Sequence, residues 1–186
     1  MRVHSVARIV FVMSIAMVIA IFPFHKACAD TAKEINASVD GALDRFVKEV
    51  KGANEFLKAA KGILVVPKVM QGGLIVGGEY GEGALRISNK TVGYYSLISG
   101  SFGAQIGAQQ KDIILVFMNQ AALKKFRNSK NWRGGVDAKI TVVNMGVDDS
   151  LDSMKFKEPV IGIVFGQKGL MAGATLEGSK FTKLKK

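Results

Sequence analysis

Apolar positions along this chain follow three successive patterns. Residues 9–24 form an almost unbroken apolar run. From Ile35 the apolar residues are Ile35, Val39, Leu43, Phe46, Val50, Ala53, Leu57 and Ala60. At about 3.6 residues per turn these stay within a stripe roughly 100° wide, with Asp40, Asp44, Lys48, Lys51, Glu55 and Lys58 off it. The spacing predicts an amphipathic helix, or two helices broken near Gly52, with Asn54 as a cap for the second and Gly62 as its stop. The ordinary use of such a stripe is to cover a sheet; membrane contact is the alternative.

After Gly62 the period changes to that of strands. Residues 63–66 form a short apolar run expected to stop at Pro67, and residues 73–78, 84–87 and 94–98 are further extended candidates. Phe102, Ala104, Ile106 and Ala108 alternate with glycine and glutamine, which reads as a strand approached closely by its neighbours. Residues 113–118 are apolar on both faces and read as a central buried strand. Asn119 is placed to cap a short helix through Phe126, with Ala122, Leu123 and Phe126 inward. Residues 139–145, 160–165 and 170–176 are three later strands, and 146–159 is the one long loop. Helices followed by many strands with one helix inserted define an α+β fold with a largely antiparallel sheet. The 21 glycines all follow residue 29, so a strongly curved sheet or partial barrel is expected rather than a flat one.

The apolar run changes the picture of where the chain works. It is flanked by Arg2 and Arg8, ends at Pro23-Phe24, and is followed by Ala27-Cys28-Ala29. This is the layout of a secretory signal peptide, with cleavage expected after Ala29 and a mature domain over 30–186. Sixteen apolar residues fall short of the roughly 20 of a spanning helix, so a retained anchor is the weaker reading. Lipidation of Cys28 is weaker again, because His25-Lys26-Ala27 lacks the usual upstream apolar residue. Export implies a periplasmic or peripheral envelope location. The cut removes His4, His25 and Cys28, the chain's only histidines and cysteine. Ser-His-Asp and Cys-His catalysis, and zinc or iron–sulfur sites built on those ligands, are thereby excluded. Loss of Arg2, Arg8 and Lys26 lowers the formal net charge from +11 to +8. A basic domain outside the cytoplasm points to anionic lipid headgroups, anionic polymers or acidic proteins, and not to nucleic acid.

Few residues suggest chemistry. The segment GGEYGEG (77–83) lacks the Gly-Lys-Ser/Thr ending of a phosphate loop and no helix pattern follows it. Glu79 and Glu82 show no sign of the split environments an acid–base pair needs. Asp148, Asp149 and Asp152 do not match an EF-hand loop. The cations are more informative. Lys58, Lys61 and Lys68 bracket the helix-to-strand junction; Lys124, Lys125, Arg127, Lys130 and Arg133 surround Trp132, an aromatic type favoured at headgroup depth; Lys180, Lys183, Lys185 and Lys186 form a basic tail.

Five segments then carry a family resemblance: AKGILVVP (60–67), GLIVGGEYGEG (73–83), YYS (94–96), SFGAQIG (101–107) and GLMAGATLEGS (169–179), with Phe126 between the last two. Together they resemble the SYLF domain family, in its bacterial exported branch, over essentially all of 30–186. The resemblance implies a lipid-binding module rather than an enzyme. Eukaryotic relatives are associated with phosphoinositide membranes and actin regulation, and their N-terminal amphipathic helix with membrane contact. The matching stretch here is 54–61, with Phe56 and Leu57 as apolar candidates and Lys58 and Lys61 as headgroup candidates. A signal peptide places the chain where actin is absent, so actin is not expected as a partner, and an anionic phospholipid replaces the phosphoinositide.

The combined expectation is an exported, non-enzymatic module without cofactor or metal that associates with anionic phospholipid surfaces. Attraction by Lys58, Lys61 and Lys68 would precede insertion of Phe56 and Leu57, with Lys124, Lys125 and Arg127 as further basic contacts. The alternative is an envelope protein-interaction or structural module without a lipid ligand, whose N-terminal stripe is wholly buried on the sheet.

Overall fold

The structure, a computed structural model, describes residues 30–73, 76–102, 109–145, 151, 158–168 and 175–186. Helix α1 (Ala32–Glu49) opens on a reciprocal cap: Thr31 Oγ accepts from the Glu34 N–H, and Glu34 Oε2 accepts from the Thr31 N–H at 2.7 Å. Two orphan donors of the first turn are satisfied this way. Gly52 then takes a left-handed conformation, φ 79°, and starts the seven-residue α2 (Ala53–Ala59) without a side-chain cap. The break falls at Gly52 as expected, but Gly52 itself is the cap residue and not Asn54. A left-handed turn favours glycine because no Cβ clashes there.

Strands β1 (Gly62–Gly73), β2 (Val76–Ile87), β3 (Lys90–Phe102) and β4 (Gln109–Phe117) are followed by helix α3 (Gln120–Asn128), then β5 (Asn131–Arg133), β6 (Thr141–Asn144), β7 (Val160–Lys168) and β8 (Lys180–Leu184). They form one strongly curved half-barrel in the order β5-β8-β3-β2-β1-β4-β7-β6, antiparallel except for the β6–β7 pair. The expected α+β architecture, with N-terminal helices on a curved, largely antiparallel sheet and one inserted helix, is thus the observed one. Curvature has a local cause at Gly83: a Cβ there would lie 2.0 Å from the Val65 carbonyl oxygen and 2.8 Å from Val66 Cα. Only glycine lets β1 bend this tightly over β2.

Alternation along the strands builds two cores. On the inner face Leu64, Val66, Leu85, Leu97, Ile113, Leu115 and Phe117 meet Leu123 and Phe126 of α3. On the outer face Val65, Ala84, Ile114, Ile161, Ile163 and Phe165 meet Ile35, Val39, Ala42 and Phe46 of α1. The α1 stripe is therefore buried on the sheet, and Phe46 stacks on Phe165 with ring centroids 4.9 Å apart. Burying each such large side chain stabilises the fold by about 1.5–3 kcal/mol. A buried carboxylate fixes α1 further: Asp112 Oδ2 accepts from Arg45 at 2.6 Å and its Oδ1 from the Lys68 N–H at 2.8 Å.

The structure alters several local expectations. Pro67 does not end β1; the strand continues through a bulge between Val66 and Val69, with Lys68 at φ 51°. Proline has no N–H to donate, and a bulge is where a ladder tolerates that. Residues 84–87 are the end of β2 and not a separate strand. Trp132 does not sit at a surface: it is 1% exposed and packs edge-on against Phe126 and Phe181. Its short edge strand β5 pairs with β8, and β8 is formed from what reads in sequence as a basic tail. Most of the expected strand over 102–108, most of that over 170–176, most of the loop at 146–159 and the apolar run at 9–24 lie outside the described residues.

Candidate functional site: two basic clefts beside one hairpin

The β2–β3 turn at Ser88-Asn89 marks one end of the sheet, and a cleft opens on each side of it. The first, about 450 Å³, lies between the two N-terminal helices and the sheet. Its apolar wall is Leu43 and Val47 from α1, Leu57 from α2 and Ile63 from β1. Its cations are Lys58, Lys61 and Arg86, and among the described residues no carboxylate lines it. Lys58 stands in the last turn of α2, and Lys61 is held at the sheet end by its N–H bond to the Phe117 carbonyl, 2.8 Å. Lys61 lies beyond the end of α2, and both side chains line the same cleft.

Arg86 is the anchored member. One of its NH2 groups donates to Asp40 at 2.7 Å and to Asn36 at 3.4 Å, the other to the Asn89 carbonyl at 3.2 Å. Its Nε–H is buried and has no acceptor among the described residues. Such an unmade bond costs about 1–3 kcal/mol. Lys58 and Lys61 have no acidic partner among the described residues. The cleft therefore joins two unpaired ammonium groups to an apolar wall, which suits an amphipathic anion.

The second cleft, about 630 Å³, lies on the opposite face, between α3, the end of β2 and β8. Ile87, Gln120, Leu123, Lys124, Arg127, Asn128 and Lys183 line it, again with no carboxylate among the described residues.

The residues expected from sequence thus separate. Leu57, Lys58 and Lys61 share the first cleft; Lys124 and Arg127 share the second. Phe56, Lys68 and Lys125 line neither. Phe56 is half-buried against the outer core, Lys68 sits in the β1 bulge, and Lys125 donates to the Asp137 carbonyl. Sequence reasoning missed Arg86 and named Lys183 only as part of a basic tail. Arg86 had a faint signal, since Ser88-Asn89 reads as a tight turn and Arg86 precedes it; Lys183 was hidden in the apparent tail.

Glu79 and Glu82, three residues apart on a strand, face opposite sides of the sheet. Glu79 pairs with buried Lys111 at 2.7 Å inside. Outside, Glu82 takes a bond from Lys186 at 2.9 Å and one from Tyr80 at 2.6 Å. Burial, with that carboxylate, pushes the Tyr80 hydroxyl up to about 12. The two acids cannot act on one substrate atom. Among the described residues no group of acids could hold a metal ion, and no helix is long and apolar enough to cross a membrane.

The described residues form a helix-backed half-barrel with two cation-lined clefts, and no acid–base pair converges among them. Residues 98–186 match the model of the Ysc84 family, described as "Las17-binding protein actin regulator", and this region of the chain belongs to that family, the one whose SYLF motifs the sequence resembles. A comparison with curated proteins finds no match. The matched region begins inside β3 and holds β4 to β8. In the sheet order these form two wings joined only through β2 and β1, so the folded sheet needs residues that precede the match.

Proposed function

We propose that this protein is a non-enzymatic lipid-binding module, exported after cleavage behind Ala29, that docks onto anionic phospholipid surfaces. The observation that carries the reading is the first cleft: Lys58 and Lys61, both exposed and without an acidic partner among the described residues, beside the apolar wall of Leu43, Val47, Leu57 and Ile63. A phosphodiester oxygen accepts from the ammonium groups while the start of an acyl chain lies against the apolar side. Leu57 contributes from within the cleft. Phe56, half-buried and on the short α2, reaches the bilayer only if α2 lifts from the sheet. In the α2 segment proper, Ala53 alone is fully buried, so this helix has the weakest hold of the three. The location is supported by the signal-like run at residues 9–24. Co-sedimentation with anionic and zwitterionic vesicles tests the reading; equal binding to both refutes it.

One observation favours the alternative, a protein-interaction module. Met70, Tyr80 and Ile98 face each other across β1, β2 and β3 on the outer face and are about half exposed. An uncovered apolar row of this kind is typical of contact surfaces, and the family description names a protein partner and actin. Under this reading Tyr80→Ser with Ile98→Ser abolishes partner capture and leaves vesicle binding as it was.

A further inference from the structure

We infer that the second cleft is a phosphate site in its own right, so that the hairpin end holds two headgroups of one bilayer at once. The inference rests on the lipid reading above and adds a second ligand to it.

The two clefts are back to back. Arg86 lines the first and Ile87 the second, and consecutive strand residues point to opposite faces. Gly62 shows how thin the partition is. It lines the first cleft, yet a Cβ on it would lie 2.9 Å from Leu123 of the second and 3.4 Å from the Arg86 carbonyl. Both clefts therefore lie beside the same turn, one on each face of the sheet.

The second cleft is built for an anion. Lys124, Arg127 and Lys183 have no acidic partner among the described residues. Gln120 and Asn128 add amide donors. The segment forming α3, QAALKKFRN, has no acid at all. Its direction is fixed, because Leu123 and Phe126 are 2% and 0% exposed in the inner core. That anchorage keeps Lys124 and Arg127 on the open side. A guanidinium fork with two ammonium groups is the donor set that phosphate oxygens take best. Once one headgroup is held, the second engagement is intramolecular, and affinity rises without further contact area.

The test uses the purified protein and phosphatidylcholine vesicles containing a graded fraction of phosphatidylglycerol. The variants are Lys124→Gln/Arg127→Gln/Lys183→Gln and, separately, Lys58→Gln/Lys61→Gln. All five positions are exposed, so thermal midpoints stay near that of the parent. A cation at an anionic surface is worth about a fivefold factor, so the triple variant binds about 100-fold more weakly. Its dependence on the phosphatidylglycerol fraction also falls from steeper than linear to first order. If the triple variant follows the parent curve while the double variant loses binding, the second site is refuted and the lipid reading stands. If the parent binds no vesicle, both fall. Full binding by the double variant, with none by the triple, removes the first cleft and the paired arrangement with it. Glycerol phosphate without vesicles is the last arm: saturation of the second cleft by it, with vesicle binding unchanged in the triple variant, assigns the cleft to a soluble phosphate ester and overturns the proposal.

Discussion

Replacing Lys58 and Lys61 by glutamine removes two positive charges from the first cleft and little else. Both side chains are exposed and neither has an acidic partner among the described residues. Folding stability should therefore change by less than about 0.5 kcal/mol. Each cation near an anionic bilayer contributes about 1 kcal/mol, so the pair contributes about 2 kcal/mol. That is about a 30-fold loss in partition to anionic vesicles. Screening sets the second half of the expectation. The Debye length falls from about 8 Å at physiological ionic strength to about 3 Å at 1 M, so parent and variant should converge at high salt. Lys68→Gln is the control, because Lys68 is equally exposed but lies in the β1 bulge outside both clefts; its loss should be well below that of the pair. Co-sedimentation with phosphatidylglycerol vesicles, with bound and free protein measured at both salt concentrations, reads all three. A double variant within threefold of the parent at low salt, or a deficit that survives 1 M salt, would show that these lysines do not form the headgroup site.

Four further outcomes follow from the packing. Gly83→Ala drives a Cβ to 2.0 Å from a backbone oxygen, which no side-chain rotation relieves, and should cost at least about 3 kcal/mol in denaturant unfolding; Gly72→Ala, on open surface, should stay close to neutral. Glu79→Gln leaves the Lys111 ammonium buried without its counter-ion and should cost about 3–5 kcal/mol, while Glu79→Gln with Lys111→Met should recover much of it; additive losses would contradict the pairing. Trp132 is the sole tryptophan and is buried in the inner core, so its emission should not shift when vesicles are added, and a blue shift would mean it enters the bilayer. The fragment 98–186 should fail to give cooperative unfolding, because β1 and β2 bridge its two wings; a cooperative transition would show the wings can close without them.

Legibility in the sequence followed the strength of the periodic signal. The α1 stripe was readable because Ile35, Val39 and Phe46 recur at helical spacing, and all three are buried. The inserted helix was equally plain, since Asn119 caps it through the Ala122 N–H at 2.9 Å and Leu123 and Phe126 point inward. The continuation of β1 past Pro67 was not readable. A bulge depends on the partner strands, and Asp112, 44 positions away, accepts the Lys68 N–H. Trp132 misled because aromatic residues among cations suit a membrane surface as well as an edge strand over a core. The site was half legible. Lys58, Lys61, Lys124 and Arg127 stood out as clustered cations, but their division between two faces comes from the sheet. Arg86 and Lys183 joined them only through strand pairing.

The central claim is that the hairpin end of this half-barrel recognises anionic phospholipid. Co-sedimentation of the protein with phosphatidylglycerol-containing and pure phosphatidylcholine vesicles, at low and high salt, tests it most directly. The account predicts binding to the anionic vesicles alone, lost as salt is raised. Binding to neither vesicle, or to both regardless of salt, would contradict it.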